Sequence, residues 1–270
     1  MRIVLGQVQP ELGNKEHNVE KIERVVAENE CDLAVFGELF LTGYMCRGDF
    51  PRLAEDLSGP SMSRIKRISE EHGSHIILGM PEMDEKTRGI YNSSVLVTPD
   101  GDARSYRKLH LANFGPFEES LHFGRGSGLE VFETDIGRIG LIICFDIFFP
   151  ELSKFHALSG ADMIVACSAS PSTSKFFFQT IIPARAIENA LFFVYSNLVG
   201  TEKNMIFFGG STVVGPRGDE KVKAKEYEED VVRCDVDLKE LEKARQHRPV
   251  VRDTRFDVLG RIPEFQGKPG

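Results

Sequence analysis

The chain has 270 residues, of which 41% are hydrophobic and 27% are charged, so it can bury the core of one sizeable globular domain. Its formal net charge of −8 provides no basic surface for nucleic acid, which excludes that class of partner. No apolar run approaches the ~20 residues that span a bilayer, and the first residues indicate a strand rather than a secretion signal.

The cysteines are far apart in the sequence and include no Cys-x-x-Cys pair: Cys31, Cys46, Cys144, Cys167 and Cys234. An odd, scattered set is not typical of a disulfide framework or of a zinc site. We therefore expect free thiols, a cytoplasmic location, and neither a metal nor another cofactor.

Strand and helix patterns alternate along the first half of the chain. Turn residues between Thr98 and Asp102 predict a hairpin. Ser61 is expected to cap the second helix. The predicted elements are a strand over 3–8, a helix from Asn14 or His17 to Glu28, a strand over 33–36, a helix over 61–72, a strand over 76–79, and hairpin strands over 91–97 and 103–108.

The second half continues in the same way, and the alternation predicts an α/β fold with layers of mixed sheet in a domain over 1–247. A basic tail over 248–270, with Arg248, Arg252, Arg255 and Arg261, is expected to pack on a second subunit. The predicted elements are hairpin strands over 129–134 and 138–143, a helix over 150–159, a strand over 163–166, a helix that includes Pro183 to Asn189, strands over 193–197, 211–214 and within 221–235, and a helix over 238–245.

Three reactive side chains lie at the ends of predicted strands. Glu38 follows Leu33-Ala-Val-Phe-Gly37, Lys108 follows Ser105-Tyr-Arg107, and Cys144 follows Leu141-Ile-Ile143. Ligands of open α/β sheets bind outside the carboxyl ends of strands, so these positions are candidates for one site. In such a site the glutamate would accept the thiol proton, and the lysine would stabilise the thiolate and an oxyanion.

Each of these residues also has a simpler interpretation. A lone cysteine in an apolar stretch is usually an inert core residue, and a lysine beside Arg107 is usually a solvated charge. His110 is the main rival as general base, because Cys–His pairs are common in thiol hydrolases and acyltransferases. An inactive binding subunit is the non-enzymatic alternative.

Three sequence motifs resemble those of the nitrilase, or carbon–nitrogen hydrolase, superfamily. They are Phe36-Gly-Glu38-Leu-Phe-Leu-Thr-Gly-Tyr44, Tyr106-Arg-Lys108-Leu-His-Leu111 and Ile143-Cys144-Phe-Asp-Ile-Phe-Phe-Pro-Glu151, and they occur in the order typical of the family. Flanking segments such as Tyr91-Asn92-Ser93 also match. In its motifs the chain is most similar to archaeal and thermophilic aliphatic nitrilases and amidases.

The resemblance implies a four-layer αββα sandwich, with two mixed sheets between outer helices, that forms a homodimer or a higher homo-oligomer. It also implies that Glu38 is the general base, Lys108 the oxyanion-stabilising cation and Cys144 the nucleophile. A second glutamate of the family corresponds to Glu118 or Glu119, and counting back from Gly124-Arg-Gly126 favours Glu119. The backbone N–H of Phe145 is the expected second oxyanion donor.

One departure from the family narrows the expected substrate. Many members carry an arginine, often tied to substrate carboxylates, where this chain has Phe148. We therefore expect a small aliphatic amide or nitrile in a pocket that includes Phe145, Phe148 and Phe149. These residues do not distinguish an amide substrate from a nitrile substrate. An N-carbamoyl compound is the alternative within the family.

Overall fold

A computed structural model describes residues 1–260 of the chain, so Arg261 of the predicted tail lies outside the described residues. The strands in the described part are β1 (Arg2–Gln7), β2 (Leu33–Val35), β3 (His75–Met83), β4 (Ile90–Val97), β5 (Ala103–Arg107), β6 (Val131–Thr134), β7 (Gly137–Ile143), β8 (Met163–Ser168), β9 (Phe192–Asn197), β10 (Val199–Glu202), β11 (Met205–Phe208), β12 (Thr212–Val214), β13 (Glu220–Lys223) and β14 (Asp230–Asp235). The helices are α1 (Lys15–Glu28), α2 (Phe50–Leu53), α3 (Pro60–His72), α4 (Pro150–Leu158), α5 (Lys175–Asn189), α6 (Lys239–His247) and α7 (Phe256–Leu259).

Two six-stranded sheets organise the molecule. Their strand orders are β14-β1-β2-β3-β4-β5 and β13-β12-β9-β8-β7-β6, and β10 pairs with β11 in a separate hairpin. Each sheet has a parallel centre, β1-β2-β3 in one and β7-β8-β9 in the other, with antiparallel strands at its edges. The predicted mixed sheets are therefore confirmed.

Alternating side chains on the central strands create the layers. Ile3 and Leu5 of β1 belong to a core shared with Leu141 of β7, which lies between the two sheets. Val4, which points the other way, belongs to a second core that contains the apolar faces of α1 and α3. Helices α4 and α5 cover the outer face of the other sheet, so the four-layer αββα sandwich is confirmed.

The start of α3 differs from the prediction. Gly59 is the N-cap, Pro60 is the first helical residue, and Ser61 lies inside the helix rather than capping it. Proline suits this first position because its missing N–H is not needed there. The Ser61 N–H and hydroxyl instead donate to Glu55, at 2.9 and 2.8 Å.

Helix α5 is longer than predicted, and one hairpin was not predicted. The helix begins at Lys175, and the predicted residues 183–189 form its C-terminal part, with Pro183 in the helix interior. Phe176 and Phe177 therefore lie on its first turn. The β10–β11 hairpin turns through Lys203 and an asparagine, without the Asn-Gly or Asp-Gly pair that signals such turns.

No helix among residues 1–260 is long and apolar enough to cross a membrane. The described part of the tail consists of turns and the short helix α7, whose Phe256 and Val258 are exposed. Its predicted role at a subunit interface stays a prediction.

Candidate active site

The three strand-end residues converge between the sheets. Strands β2 and β5 run in the same direction in the first sheet, so Glu38 and Lys108 leave it at one edge. The Lys108 Nζ atom lies 2.6 Å from Glu38 Oε1 and 2.8 Å from Glu119 Oε1. Cys144, at the end of β7, borders the same cavity as Glu119. Lys108 and Glu38 are completely buried, and Glu119 is 4% exposed.

Glu38 is held by two further hydrogen bonds. Asn92 Nδ2 donates to Oε1 at 2.7 Å, and the Ala169 backbone N–H donates to Oε2 at 2.8 Å. The next residue, Leu39, has a φ of +50°, a conformation that costs a non-glycine residue energy and that recurs at functional sites. The carboxylate therefore has a fixed orientation toward the lysine.

Burial raises the pKa of the Glu38 carboxyl, and the nearby charge of Glu119 raises it further, whereas Lys108 opposes the shift. A carboxylate with a raised pKa is a better proton acceptor than an exposed glutamate. This electrostatic setting suits a general base.

Lys108 is a permanently charged group in this setting. Burial disfavours the ammonium, but the carboxylates of Glu119 and Glu38 favour it more strongly, so the pKa of Lys108 lies well above its usual value. Glu119 is in turn fixed by the Tyr44 hydroxyl, which donates to Oε1 at 2.6 Å, and by the Ala112 N–H, which donates to Oε2 at 3.1 Å. Its neighbour Glu118 is exposed on the surface.

Cys144 lies where β7 ends and the 3-10 segment Cys144–Phe148 begins, and its φ is +45°. It is the least relaxed backbone position of this loop, and strain of this kind is often retained where a side chain must be presented. Asp146 holds the loop, because its Oδ2 accepts from the Ile143 N–H at 3.1 Å and from the Tyr106 hydroxyl at 2.8 Å. The Ser170 hydroxyl lies 3.7 Å from the Cys144 sulfur.

The environment of Cys144 favours the protonated thiol. Burial and the charge of Glu38 raise the pKa of this thiol, and the opposing effect of Lys108 is smaller. A thiol in this setting would need a neighbouring base to remove its proton before it could act as a nucleophile.

A cavity of about 210 Å³ opens onto Cys144 and Glu119. Within residues 1–260, Glu119 is the sole charged side chain of its lining, and it is already paired with Lys108. The rest of the wall is mainly aromatic, formed by Phe114, Phe117, Phe145, Phe148, Phe177 and Phe178.

His110 and Phe149 lie together behind Phe145 and are not part of the cavity lining. Their rings stack with centroids 3.5 Å apart, and His110 Nδ1 lies 2.9 Å from Asp146 Oδ1. His110 therefore supports the cysteine loop through Asp146, whereas Phe149 packs on the histidine instead of facing the substrate cavity. The geometry does not support His110 as the base for Cys144.

Several residues of the site were not singled out from the sequence. Tyr44, Asn92 and Ser170 all contact the reactive groups. Tyr44 and Asn92 belong to sequence segments that matched the family, but their partners are 75 and 54 residues away in the chain. Sequence position alone carried no signal for those contacts.

Comparison with known proteins shows the family to which the chain belongs. The family model described as carbon–nitrogen hydrolase matches residues 2–246. The chain belongs to the carbon–nitrogen hydrolase family. As a carbon–nitrogen hydrolase, it is an enzyme that acts on non-peptide carbon–nitrogen bonds, and its relatives include proteins named nitrilase and amidase.

Relatives of this carbon–nitrogen hydrolase come from eukaryotes, archaea and bacteria. A probable nitrilase of Schizosaccharomyces pombe is 34% identical over 91% of this chain and 92% of its own length. A nitrilase of Pyrococcus abyssi is 31% identical over 88% of this chain and 90% of its own, so the archaeal resemblance is one among several. A mutant amidase of Nesterenkonia sp. AN1, with acrylamide joined to its active-site cysteine by Michael addition, superposes with a TM-score of 0.83 at 26% identity, over 96% of this chain and 98% of that one.

Proposed function

We propose that this hydrolase cleaves a small, uncharged aliphatic amide or nitrile through a thioester on Cys144. The observation that carries the proposal is the buried Glu38–Lys108–Glu119 cluster beside a thiol at an apolar cavity. A substrate carboxylate would meet no unpaired cation in the described lining of that cavity and would face Glu119. Phe148, where many family members have arginine, contributes to this preference.

In the proposed reaction the Cys144 sulfur attacks the amide carbon while Glu38 accepts the thiol proton. The carbon–sulfur bond forms, and the carbonyl oxygen becomes an oxyanion stabilised by Lys108 and the Phe145 N–H. Glu38 then returns the proton to the nitrogen, the carbon–nitrogen bond breaks, and ammonia leaves. Glu38 next activates a water, which hydrolyses the thioester and releases the acid.

Glu119 has a supporting role in this proposal. Its Oε1 shares Lys108 with Glu38, so it fixes the position of the ammonium between the two carboxylates. A nitrile would first form a thioimidate on Cys144, and a water activated by Glu38 would then add to it so that ammonia leaves and a thioester forms. A second water would hydrolyse that thioester, with the same base and cation serving each step. The site residues therefore leave both substrate types in the proposal.

The first experiment measures ammonia release from short amides, nitriles and N-carbamoyl compounds. We expect turnover of at least one small neutral substrate and its loss in Cys144→Ala, with a covalent acyl adduct on Cys144 in mass spectra of wild type. Cys167→Ala is the matched control, because Cys167 is a buried thiol of β8 outside the cavity lining. Full activity of Cys144→Ala would contradict the mechanism.

We also propose a cytoplasmic homodimer, or a higher homo-oligomer, that packs through its outer helices. All five cysteines are free thiols, which supports a reducing compartment. Light scattering of the purified protein tests the oligomeric state.

A further inference from the structure

Glu202 is a buried acid outside the proposed catalytic groups. It ends β10 in the β10–β11 hairpin, and it is 4% exposed. Its Oε2 atom accepts the Met45 backbone N–H at 2.8 Å, at the start of the 3-10 segment Tyr44–Asp49. Its Oε1 atom has no hydrogen-bond partner among the described residues. Such a costly arrangement calls for a functional explanation.

The segment that Glu202 holds contains Tyr44, which links the hairpin to the catalytic cluster. The Tyr44 hydroxyl donates to Glu119 Oε1 at 2.6 Å, and the same oxygen lies 2.8 Å from Lys108 Nζ. The ring of Tyr44 also packs edge-on against Phe207 of β11, with centroids 6.0 Å apart. One hairpin therefore contacts the backbone next to Tyr44, at Met45, and also the ring of Tyr44, which orients Glu119.

Gly43 permits this close approach. It has a φ of +80°, and a Cβ atom built on it would lie 3.1 Å from Glu202 Oε1 and 2.9 Å from Leu12 Cδ1. The backbone before Tyr44 is therefore packed directly against the carboxyl group, so a small movement of Glu202 would be transmitted to Tyr44.

We propose that Glu202 is a positioning residue for the hydrolase reaction, holding residues 43–45 so that Tyr44 keeps Glu119 against Lys108. This inference rests on the proposed function, since it assigns Glu202 to the same site. Glu202 does not touch the reacting atoms. It acts through a backbone hydrogen bond, one tyrosine and one glutamate.

The ionised carboxylate is the form that holds the segment more tightly, because hydrogen bonds to an ionised acceptor are stronger than neutral ones. Burial raises the pKa of Glu202 to about 7, and the N–H groups of Met45 and Tyr44 and the Lys203 ammonium oppose the shift. The charge of Glu202 also raises the pKa of the neighbouring Cys46 thiol, although burial is the larger cause of that shift. The strength with which Glu202 holds residues 43–45 would therefore change within the neutral pH range.

The test compares wild type with Glu202→Gln, which keeps one acceptor oxygen and cannot ionise. We expect the ratio of wild-type to variant kcat/KM to be near one at pH 5.5 and to rise to about three- to tenfold through pH 7, with KM changed less than twofold. Glu55→Gln is the control, because Glu55 is another buried acid, and its carboxylate accepts from Ser61 and Lys15 rather than from residues 43–45. A ratio that is independent of pH, or that the control reproduces, would overturn the proposal.

A double-mutant cycle with Tyr44→Phe isolates the route of the effect. If Glu202 acts through Tyr44, the double variant should be no slower than Tyr44→Phe alone, whereas additive losses would contradict the route. Should Glu202→Gln fail to fold, Phe207→Leu replaces it in the same cycle, because Phe207 contacts Tyr44 from the same hairpin.

Alkylation of Cys144 by iodoacetamide, mapped by mass spectrometry, provides a readout that needs no substrate. We expect its rate to respond to Glu202→Gln with the same inflection near pH 7, since Glu119 and Lys108 both influence the thiol. If no amide or nitrile is hydrolysed, the proposed function fails while this measurement still tests Glu202. An unchanged alkylation profile in an active enzyme would count against Glu202 alone.

Discussion

Lys108 is the side chain on which the buried charges depend. It is the cation shared by Glu38 and Glu119, and the lysine and Glu38 have no solvent exposure. Buried charges that lose their partner are strongly destabilising, more so than exposed pairs. The two buried carboxylates therefore depend on Lys108, and without it they would repel each other.

Lys108→Met is expected to lower the free energy of unfolding by roughly 3–5 kcal/mol, because it leaves two buried carboxylates without a cation. Urea denaturation at pH 7 measures this loss. Lys15→Met is the matched control, since Lys15 pairs with the buried Glu55 but is itself 23% exposed. An equal loss of unfolding free energy in both variants would show that the Glu38–Lys108–Glu119 cluster has no special electrostatic role.

Ser170→Ala is expected to slow alkylation of Cys144 several-fold at neutral pH, because the Ser170 hydroxyl at 3.7 Å can donate to the developing thiolate. The backbone of Ser170 is independently fixed, since its N–H donates to Asn197 Oδ1 at 2.7 Å. The measurement is iodoacetamide labelling with peptide mapping. Ser94→Ala is the control, because Ser94 forms a similar buried contact, at 3.3 Å, with Cys167.

Among the elements, β3 shapes the site without supplying a reactive side chain. Gly79 lies beside the loop that carries Glu38, and a Cβ atom at this position would be 2.2 Å from the Leu39 nitrogen and 2.6 Å from the Glu38 Cα. The loop can pack on the strand only because this residue has no side chain. The requirement comes from backbone contact, so repacking of neighbouring side chains cannot relieve it.

Gly79→Ala is expected to reduce stability by about 1–3 kcal/mol and to reduce activity by more than the loss of folded protein explains. Thermal unfolding and kcat per folded enzyme are the two measurements. Gly48→Ala provides the comparison, because nothing lies within 4 Å of a Cβ atom at Gly48. The alanine is expected to displace Glu38. A wild-type kcat in the Gly79 variant would show that it does not.

The hairpin residue Glu202 also makes stability depend on pH. Its pKa is raised from 4.5 to about 7 in the folded protein, so its contribution is fully present below pH 4.5 and is lost as pH rises through about 7. The shift corresponds to roughly 3 kcal/mol. Ionisation thus favours the proposed positioning of Tyr44 while it costs folding stability, a conflict often found at functional sites.

Glu202→Gln should therefore flatten the dependence of unfolding free energy on pH between 5 and 8, and the variant should be the more stable protein at pH 8. Chemical denaturation at a series of pH values measures the slope. A wild-type slope that persists in the variant would assign the dependence to another group.

For the whole molecule, the tail after residue 247 is the feature most suited to an intermolecular role. Phe256 and Val258 of α7 are 67% and 54% exposed, so this short helix presents two apolar side chains that a partner could cover. Truncation after residue 247 is expected to leave the circular dichroism spectrum unchanged and to shift a dimer toward monomer in light scattering. An unchanged dimer would exclude the tail from the interface.

Most of the fold was predictable because its signals are local. Short apolar runs predicted strands such as β1 and β7, and an apolar stripe every three or four residues predicted α1. The full length of α5 was not predicted, and tertiary packing keeps Pro183 inside this helix against the usual preference of proline. The β10–β11 hairpin was missed because its turn lacks a strong turn sequence.

The reactive residues were predictable for a related reason: Glu38, Lys108 and Cys144 each follow a strand and lie within a motif that resembles a known family. The contacts among these residues depend on the tertiary structure. Glu202 and Met45 are 157 positions apart, and Tyr44 and Glu119 are 75 apart, yet each pair is joined by one hydrogen bond. The chain's local pattern specifies which groups are available for chemistry, whereas packing of the two sheets determines which of them meet, because only the folded backbone brings distant segments within bonding distance.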